Sequence, residues 1–301
     1  MKHVAKSSSL IPVVLFAAAA GLAGVPAVAH AQVAQRTILL QGSVPVSAGM
    51  NVTWDPVGQR YYAAGSGGGE PMFSAVFTFS PSGVQLDAFP AFVEHDLRSI
   101  NFNPNTGKLE LMTFTARDGG IGAVGGRAQG LFEAVRDASG LPTGSTAQLL
   151  AAVPGNRGRQ TMPVYDPGRD LFYSFSNTNV FNRVSRVNGS LLGTIELDTA
   201  AIGNPGFTWF ASGFDQQNDL LVVTSPGPVN RAHRFRLDGS YVDSWDLDVE
   251  VGGFYGTGFA NGQLFVYDAA RSGWQGYQIP TPASFGVLAG AALLVRRRRH
   301  A

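Results

Sequence analysis

Short runs of alternating apolar and polar residues, separated by turn sequences, extend along most of the chain. Residues 52–65 are representative: the alternation around Trp54 predicts a half-buried strand, Asp55-Pro56 begins a tight turn, and the apolar run after it predicts a second strand. The pattern returns four times, about 45–50 residues apart except for one step of about 63. The aromatic residues that mark its first strand are Trp54, Phe102, Tyr165, Phe214 and Phe259.

A repeat of roughly 45 residues is the size of one four-stranded propeller blade. Residues 84–92 are predicted as the fourth strand of the first repeat, and Asn188-Gly189 as a two-residue hairpin loop in the third. The fifth repeat ends after three strands, whereas residues 37–46 read as an extra strand before the first repeat. We therefore predict an all-β, five-bladed β-propeller over residues 36–279, closed by the N-terminal strand, because radial closure leaves few open sheet edges.

Two other architectures fit the same spacing. A two-sheet sandwich would present similar strands, and a six-bladed ring would follow if the Gly-rich residues 118–130 formed a degenerate blade; we interpret them as a loop. Composition agrees with an all-β domain, because 38 glycines and 17 prolines supply turns and 45% hydrophobic residues supply a core. The absence of cysteine excludes disulfides, thiol catalysis and cysteine-ligated metal.

Residues 1–31 have the pattern of a signal peptide. Lys2 and Lys6 provide a charged beginning, residues 10–24 an apolar segment, and Ala29-His30-Ala31 a small-x-small cleavage site. We therefore predict export by the secretion machinery and cleavage by signal peptidase. An uncleaved membrane anchor is the alternative, although the apolar segment is short for a span of about 20 residues.

Residues 280–301 carry a second targeting pattern, in which a short polar motif precedes an apolar run at 285–295 and a cluster of arginines. The run is short for crossing about 30 Å of hydrocarbon, but counting from Ile279 brings it near the lower limit of about 17 residues. By the positive-inside rule the arginines would stay cytoplasmic, which predicts a short transmembrane helix with the body held outside the inner membrane. The motif residues are Pro280, Thr281, Pro282, Ala283, Ser284, Arg296, Arg297, Arg298 and Arg299.

This order of motifs resembles the PEP-CTERM sorting signal. The resemblance is confined to the tail, and the chain carries Thr281 where the family usually has glutamate. It implies transient anchoring in the inner membrane, cleavage near residues 280–283 by an exosortase-type enzyme, and release to the cell surface or the extracellular matrix. A simple tail anchor with a stop-transfer cluster is the alternative interpretation.

The body between the two targeting segments is mildly acidic. Lys2, Lys6 and the four terminal arginines lie outside it, so that 16 of the 22 basic residues remain against 21 acidic ones, a net charge of −5. Lys108 is the only lysine of the body, and no basic stripe is present in its sequence. This charge pattern argues against a nucleic-acid partner.

The turn between the first two strands of each repeat, with Asp, Asn or Gly at its tip, resembles the turns of NHL and YVTN propellers. The resemblance covers most of the body. Those families include both binding scaffolds and enzymes, so that the resemblance implies a fold and carries no activity with it.

The densest group of titratable residues is Glu94-His95-Asp96, in a loop predicted to join two blades at one face of the channel. With Glu250 in an equivalent loop, it is the candidate for acid–base catalysis. No cofactor is predicted, but carboxylates and imidazole suit a divalent cation as an occupant of the channel. The alternative is a solvated loop that caps neighbouring backbone.

Arg157 and Arg159 flank a glycine and could hold an anionic ligand, with Trp209 as a further ligand-binding candidate in a loop of the same class. Ordinary surface charge is the alternative for the arginines. The five marker aromatics are interpreted as blade core. The chain has no Gly-x-Ser-x-Gly elbow, no His-Glu-x-x-His motif and no phosphate-binding loop.

Together these patterns favour a non-catalytic binding or structural protein that is exported and held at, or released from, the cell surface. A polysaccharide or another matrix component is the expected partner. The alternative is a secreted hydrolase or lyase that acts on a polysaccharide or small substrate at the channel mouth, through Glu94, His95, Asp96 and Glu250. A periplasmic sensor or assembly partner is a third hypothesis.

Overall fold

The computed structural model describes residues 32–44, 46–66, 74–93, 95–113, 130–156, 161–175, 179–208, 210–252 and 255–279. This part of the chain is all-β, and its only helical segment is a short 3-10 turn at Ala200–Ile202. No helix within it has the length and apolar character needed to cross a membrane. The predicted signal peptide (1–31) and the predicted sorting segment with its helix (280–301) lie outside the described residues.

Twenty-one strands are described. In chain order they are β1 (Gln32–Val33), β2 (Gln35–Gln41), β3 (Ala48–Asp55), β4 (Arg60–Ser66), β5 (Ser74–Phe79), β6 (Ala91–Val93), β7 (Leu97–Asn103), β8 (Lys108–Thr113), β9 (Leu131–Arg136), β10 (Pro142–Leu150), β11 (Val164–Asp166), β12 (Leu171–Phe175), β13 (Val180–Ser185), β14 (Leu191–Glu196), β15 (Gly213–Asp215), β16 (Leu220–Ser225), β17 (Asn230–Arg236), β18 (Tyr241–Leu247), β19 (Thr257–Ala260), β20 (Gln263–Asp268) and β21 (Gly273–Gln278).

The strands form five antiparallel sheets, which are the blades of a five-bladed propeller. Blades 1 to 4 are β3–β6, β7–β10, β11–β14 and β15–β18, and blade 5 is β19–β21 with β2. The innermost strands β3, β7, β11, β15 and β19 contact one another in a closed ring. The predicted fold is therefore confirmed. The sandwich and the six-bladed ring are wrong: β8 pairs directly with β9, so the long step between markers falls inside blade 2.

Side chains bridge neighbouring innermost strands where blades meet. The amide of Asn51 in β3 accepts a hydrogen bond from the Ile100 N–H (2.7 Å) and donates to the Ile100 carbonyl (2.9 Å). Asn101 in β7 binds blade 3 in the same way, accepting from the Tyr165 N–H and donating to the Pro163 carbonyl. These buried amides satisfy backbone groups that no sheet ladder reaches.

Most of the core lies between blades. The described residues contain five clusters of buried side chains, and each lies mainly between one pair of neighbouring blades; the cluster of blades 1 and 2 also includes Met162, Ala211 and Tyr255. Central strands such as β5 and β16 are buried along their whole length, because both of their faces pack against a neighbouring blade. Outer strands such as β10 and β14 alternate between half-buried and exposed positions. This gradient explains why the inner strands read as near-continuous apolar runs.

The beginning of the chain closes the ring. β2 pairs antiparallel with β21 and completes blade 5, with Leu40 opposite Trp274. The prediction of an N-terminal closing strand is therefore confirmed, although the strand covers Gln35–Gln41 rather than 37–46. β1 adds a feature that was not predicted, because it pairs in parallel with β18 at the outer edge of blade 4. One short segment thus binds two blades together.

Two local predictions are wrong. In residues 84–92, strand pairing stops at Asp87, whose carboxylate accepts the Thr78 N–H (3.0 Å), so that the regular fourth strand is only Ala91–Val93.

Asn188-Gly189 does not form a two-residue loop. Instead, the Ser185 N–H binds the Ser190 carbonyl around a four-residue turn in which Gly189 has a positive φ (71°).

Candidate functional site

The loops between the first two strands of blades 1 to 4 repeat one turn design at one face of the propeller, named here the hairpin face. An Asp or Asn side chain ends each first strand and accepts backbone N–H groups two or three residues further on. Asp55 accepts from Val57 (2.9 Å) and Gly58 (2.8 Å). The equivalent caps in blades 2 to 4 are Asn103, Asp166 and Asp215.

The last residue of each of these turns adopts a positive φ, as in Gln59 (49°), Gly107 (68°) and Asp219 (60°). Blade 5 uses a shorter hairpin in which both Asn261 (50°) and Gly262 (73°) have positive φ, as a two-residue type I′ turn requires. Five short turns are therefore held in similar conformations where the innermost strands end.

A pocket of about 310 Å³ lies at the hairpin face, where the innermost strands of four blades end. Blades 1, 2, 4 and 5 all contribute to it, and we name it the hairpin-face pocket. Its twelve lining residues comprise aromatic, amide, proline, glycine, alanine and threonine residues, and none of them carries a charge. A concave site with a few polar groups among apolar ones is the usual form of a ligand pocket.

Four of the five marker aromatics line this pocket. Phe102 and Phe214 are buried. The fifth marker, Tyr165, does not line the pocket and is buried in blade 3. The interpretation of these three residues as core is confirmed. Trp54 and Phe259 are only half-buried. Both pack against a core cluster, as the core interpretation expects, and part of each residue also remains accessible.

Amide side chains from two hairpins lie at the edge of the pocket. Gln216 and Gln217 belong to the β15–β16 turn of blade 4 and are exposed. Asn261, in the blade 5 hairpin, donates from its amide nitrogen to the Tyr61 hydroxyl of blade 1 (3.0 Å). Sequence reasoning missed these residues, although all three occupy the tips of repeat turns.

Ion pairs connect the hairpins outside the pocket. The Arg136 guanidinium lies 3.2 Å from the Asp55 carboxylate, 5.6 Å from the Phe102 ring centre, and also donates to the Gly107 carbonyl. Arg169 bridges the hairpins of blades 3 and 4, and its hydrogen bonds to Asp219 and then to Asp166 raise the pKa of the guanidinium. Arg136 and Arg169 are thus paired with carboxylates, whereas Arg60 of the blade 1 hairpin bonds the Gly58 and Ser139 carbonyls.

The other end of the channel, the opposite mouth (Asp96, Arg98, Phe210 and Tyr255), has a different character. Arg98 forms an ion pair with Asp96 (2.5 Å) and donates to the Tyr255 hydroxyl (2.8 Å), and all three side chains are largely buried. Burial raises the pKa of the Tyr255 hydroxyl, and Arg98 partly offsets that effect. Phe210 and Tyr255 adopt positive φ values of 66° and 58°, which cost about 1–2 kcal/mol each for such residues.

The predicted catalytic residues are only partly brought together. His95 stacks on the Phe132 ring (4.4 Å between centres), and its Nε2 bonds the Thr146 hydroxyl (2.8 Å). Asp96 pairs with Arg98, and Glu250 is exposed. Glu94 lies outside the described residues, as do the ligand-binding candidates Arg157, Arg159 and Trp209 and the sorting motif at 280–299. No group of three or more metal-ligating side chains occurs in the part of the chain that the structure describes.

A buried polar chain in blade 4 was not predicted. His233 Nε2 bonds the Ser225 hydroxyl (2.8 Å), and His233 Nδ1 bonds the Ser244 hydroxyl (2.7 Å). Burial and the neighbouring Arg231 lower the pKa of His233 to about 4, which keeps the imidazole neutral at physiological pH. Ser225 and His233 are both almost inaccessible, and the chain continues from Ser244 to the Tyr241 hydroxyl (2.8 Å) rather than to a carboxylate. This arrangement satisfies buried groups and does not form a serine hydrolase triad.

Comparison with known proteins places the chain in no family. No family model and no curated protein matches it. Similar solved structures include a tail fibre of Staphylococcus aureus phage P68, at 13% identity over 86% of this chain and 55% of that chain, with a TM-score of 0.49. They also include a calcium-binding protein, regucalcin, from Agrobacterium tumefaciens, at 14% identity over 83% of this chain and 95% of that chain, with a TM-score of 0.46. The chain spans about half the length of the tail fibre chain.

Proposed function

We propose that this chain is an exported, surface-associated β-propeller that binds a ligand at the hairpin-face pocket without catalysing a reaction. The observation that carries the proposal is the lining of that pocket. Four blades contribute aromatic and amide side chains, which supply contact area and hydrogen bonds. General acid–base and nucleophilic chemistry usually depend on His, Asp, Glu, Lys, Cys or an activated hydroxyl. The lining residues favour binding over such chemistry.

The opposite mouth supports the same choice over a hydrolase or lyase. There, Asp96 is held by Arg98, and Arg98 is also bound to the Tyr255 hydroxyl, so that these charged groups stabilise one another. His95 is engaged by Phe132 and Thr146. A catalytic carboxylate pair needs to face a substrate cleft, whereas Asp96 faces a guanidinium.

Export and surface association rest on the two targeting patterns of the sequence. A charged and apolar beginning with a small-x-small site is typical of a signal peptide. The proline-rich motif, apolar run and arginine cluster at residues 280–301 resemble a sorting signal, which implies processing by an exosortase-type enzyme and release from the inner membrane. We infer that a ring held by burial and closure, without cysteine, is suited to that location.

The proposal is tested in the host with the native protein and two variants. Mass spectrometry of each cell fraction should find a chain that begins near Gln32, ends near Pro282 and occurs at the surface or in the matrix. Trp54→Ala removes a pocket ring and should move the protein into the medium. Val57→Ala, in the same turn but 88% exposed and outside the pocket lining, is the matched control and should stay in place. Equal retention of both variants would contradict a binding role for the pocket.

A further inference from the structure

We propose that the hairpin-face pocket binds a neutral saccharide, in the form of one or two sugar rings of a longer glycan. This inference rests on the proposed binding function and specifies its ligand. The volume of about 310 Å³ is at the small end of the range of roughly 300–1,000 Å³ that is typical of ligand pockets. The exposed Pro56, Pro104 and Gln216 at its edge leave the pocket open to solvent, so a chain could continue beyond the bound rings.

The aromatic residues suit the apolar faces of a sugar ring. Trp54 and Phe259 come from neighbouring blades and are each half-buried, so both present ring surface to the pocket. Trp54 is itself supported by Tyr61, at 4.5 Å between ring centres. A pyranose has C–H groups on its faces, and their packing on an aromatic ring gains dispersion energy and removes apolar area from water. The supported ring is already ordered before a ligand arrives, which lowers the entropic cost of binding.

The amide residues suit the edges of a sugar ring. A hydroxyl group both donates and accepts hydrogen bonds, and the side chains of Asn and Gln also carry both functions. Gln216 and Gln217 supply two such groups from blade 4, and Asn261 supplies one from blade 5, where its bond to the Tyr61 hydroxyl orients the amide. Aromatic faces with amides beside them therefore match a ligand that is apolar on its faces and hydroxylated at its edge.

The charges around the pocket favour a neutral ligand. Recognition of a carboxylate, sulfate or phosphate usually uses Arg or Lys, and recognition of a metal ion uses carboxylates. The twelve lining residues include neither. The Arg136 guanidinium beside Phe102 is paired with Asp55 and bonded to the Gly107 carbonyl, and the Arg60 guanidinium of the blade 1 hairpin bonds the Gly58 and Ser139 carbonyls. The negative groups of an acidic glycan would thus lose bound water in this pocket without gaining a cationic partner from its lining.

The shape of the site favours a saccharide over a peptide. Peptides are usually bound along an open sheet edge, in a long groove for a helix, or on an aromatic groove that follows a proline-rich strand. The hairpin-face pocket is instead bounded by turns and strand ends from four blades around one point, and each innermost edge strand contributes only one or two residues to it, too few to pair with a peptide strand. A compact ring fits this outline.

The test is a titration of the mature protein, purified from its host, with maltohexaose, cellohexaose, mannohexaose, an oligogalacturonate and hexaproline. Isothermal titration calorimetry gives affinity, and tryptophan fluorescence reports Trp54. We expect at least one of the neutral hexaoses to bind. Trp54→Ala and the double variant Gln216→Ala/Gln217→Ala should each lower its affinity at least tenfold. Trp54→Phe, which retains a ring, should recover much of the affinity, and Val57→Ala should leave it unchanged.

The results distinguish failure of the saccharide inference from failure of the proposed binding function. Binding of oligogalacturonate or hexaproline that depends on Trp54, without binding of a neutral hexaose, would overturn the saccharide inference and leave the pocket as a binding site. Binding of a neutral hexaose that neither pocket variant weakens would place the saccharide elsewhere and overturn the inference. No binding of any probe would overturn the saccharide inference, and unchanged cell-surface retention of Trp54→Ala would overturn the proposed function with it. Thermal unfolding of each variant, with a shift of only a few degrees expected, separates lost binding from lost fold.

Discussion

The two ends of the propeller channel are built from opposite kinds of residue. At the hairpin face, the pocket is lined by uncharged side chains, and the ion pairs of Arg136 with Asp55 and of Arg169 with Asp219 lie outside that lining. At the opposite mouth, Asp96 and Arg98 lie largely buried beside Tyr255, and two aromatic residues adopt strained backbone conformations. One end therefore has an uncharged, partly accessible lining, whereas the polar groups of the other end bind one another.

This difference shows that titratable residues that are dense in a sequence can be engaged by other residues of the fold, as Asp96 is by Arg98 and His95 by Thr146. A buried charge is costly unless it is paired, so evolution can place an Asp and an Arg together to satisfy each other. Exposing neutral turn residues to solvent costs little free energy, so their side chains remain available for contacts with a ligand. Measurements at each end of the channel test this contrast.

The largest expected effect is at the opposite mouth. Arg98→Ala would leave the Asp96 carboxylate buried without its cation, and we expect the free energy of unfolding to fall by about 3–5 kcal/mol. Denaturant unfolding measures this change. Arg36→Ala is the matched control, because its ion pair with Asp248 is partly exposed (33% and 48%), and it should cost about 0–1 kcal/mol. Equal losses in the two variants would refute the contrast between buried and exposed pairs.

The next effect is a pH dependence from the buried polar chain in blade 4. Because the pKa of His233 is about 4 in the folded protein and 6.5 in the unfolded chain, the unfolded chain binds the proton at higher pH. Stability should be complete above about pH 6.5 and fall by roughly 3 kcal/mol as the pH decreases through 4. Arg231 strengthens this effect and Asp246 weakens it. Unfolding curves of wild type and His233→Gln should differ in this window, and parallel pH profiles would exclude the assignment.

A smaller effect is expected at the hairpin face. Asp55→Ala removes two hydrogen bonds to backbone N–H groups and the partner of Arg136, and should cost about 2 kcal/mol. Asp55→Asn keeps an oxygen for the turn and should cost less than half as much. Thermal or denaturant unfolding of the pair separates the turn from the ion pair. If Asn were as costly as Ala, the ion pair rather than the turn would hold this hairpin.

The smallest effect on stability is predicted for the edge of the pocket. Gln216→Glu/Gln217→Glu changes two exposed side chains, and the turn contact is made by the Gln217 backbone N–H to Asp215, so stability should stay within about 0.5 kcal/mol. Two negative charges beside a neutral pocket should nevertheless weaken its ligand. Gln35→Glu, on an exposed outer strand, is the control and should change neither property. A large loss of stability would mean that Gln216 and Gln217 at the edge of the pocket are needed to hold the fold.

Much of the fold could be predicted from the sequence because it depends on local patterns. The turn after Trp54 returns in each repeat, which predicts the number of blades. The fifth repeat lacks a strand that the N-terminal segment supplies, which predicts how the ring closes. The short strand β1 could not be predicted, because two residues carry no periodicity. The loss of strand pairing at Asp87 depends on a side chain that competes with the backbone, which only the folded geometry reveals.

The site was harder to predict for a physical reason. A marker aromatic in the first strand reads as core at every repeat, and the sequence contains nothing that separates Tyr165 from Trp54. Exposure is decided by how the strands converge, which leaves Trp54 and Phe259 half-buried and Tyr165 inside blade 3. The repeat turns were visible in the sequence, however, and their neutral tips at Gln216, Gln217 and Asn261 were the available signal.

Amide hydrogen exchange of the mature protein, with and without the neutral extracellular glycan fraction of its host, tests the central claim most directly. Peptides over residues 53–59 and 214–218 are distinct from those over 95–98, and overlapping peptides separate residues 255–257 from the neighbouring 259–263. The account predicts added protection in residues 53–59, 214–218 and 259–263 at the hairpin face, and none in residues 95–98 and 255–257. Protection confined to the opposite mouth would contradict it and return the site to Asp96 and its neighbours.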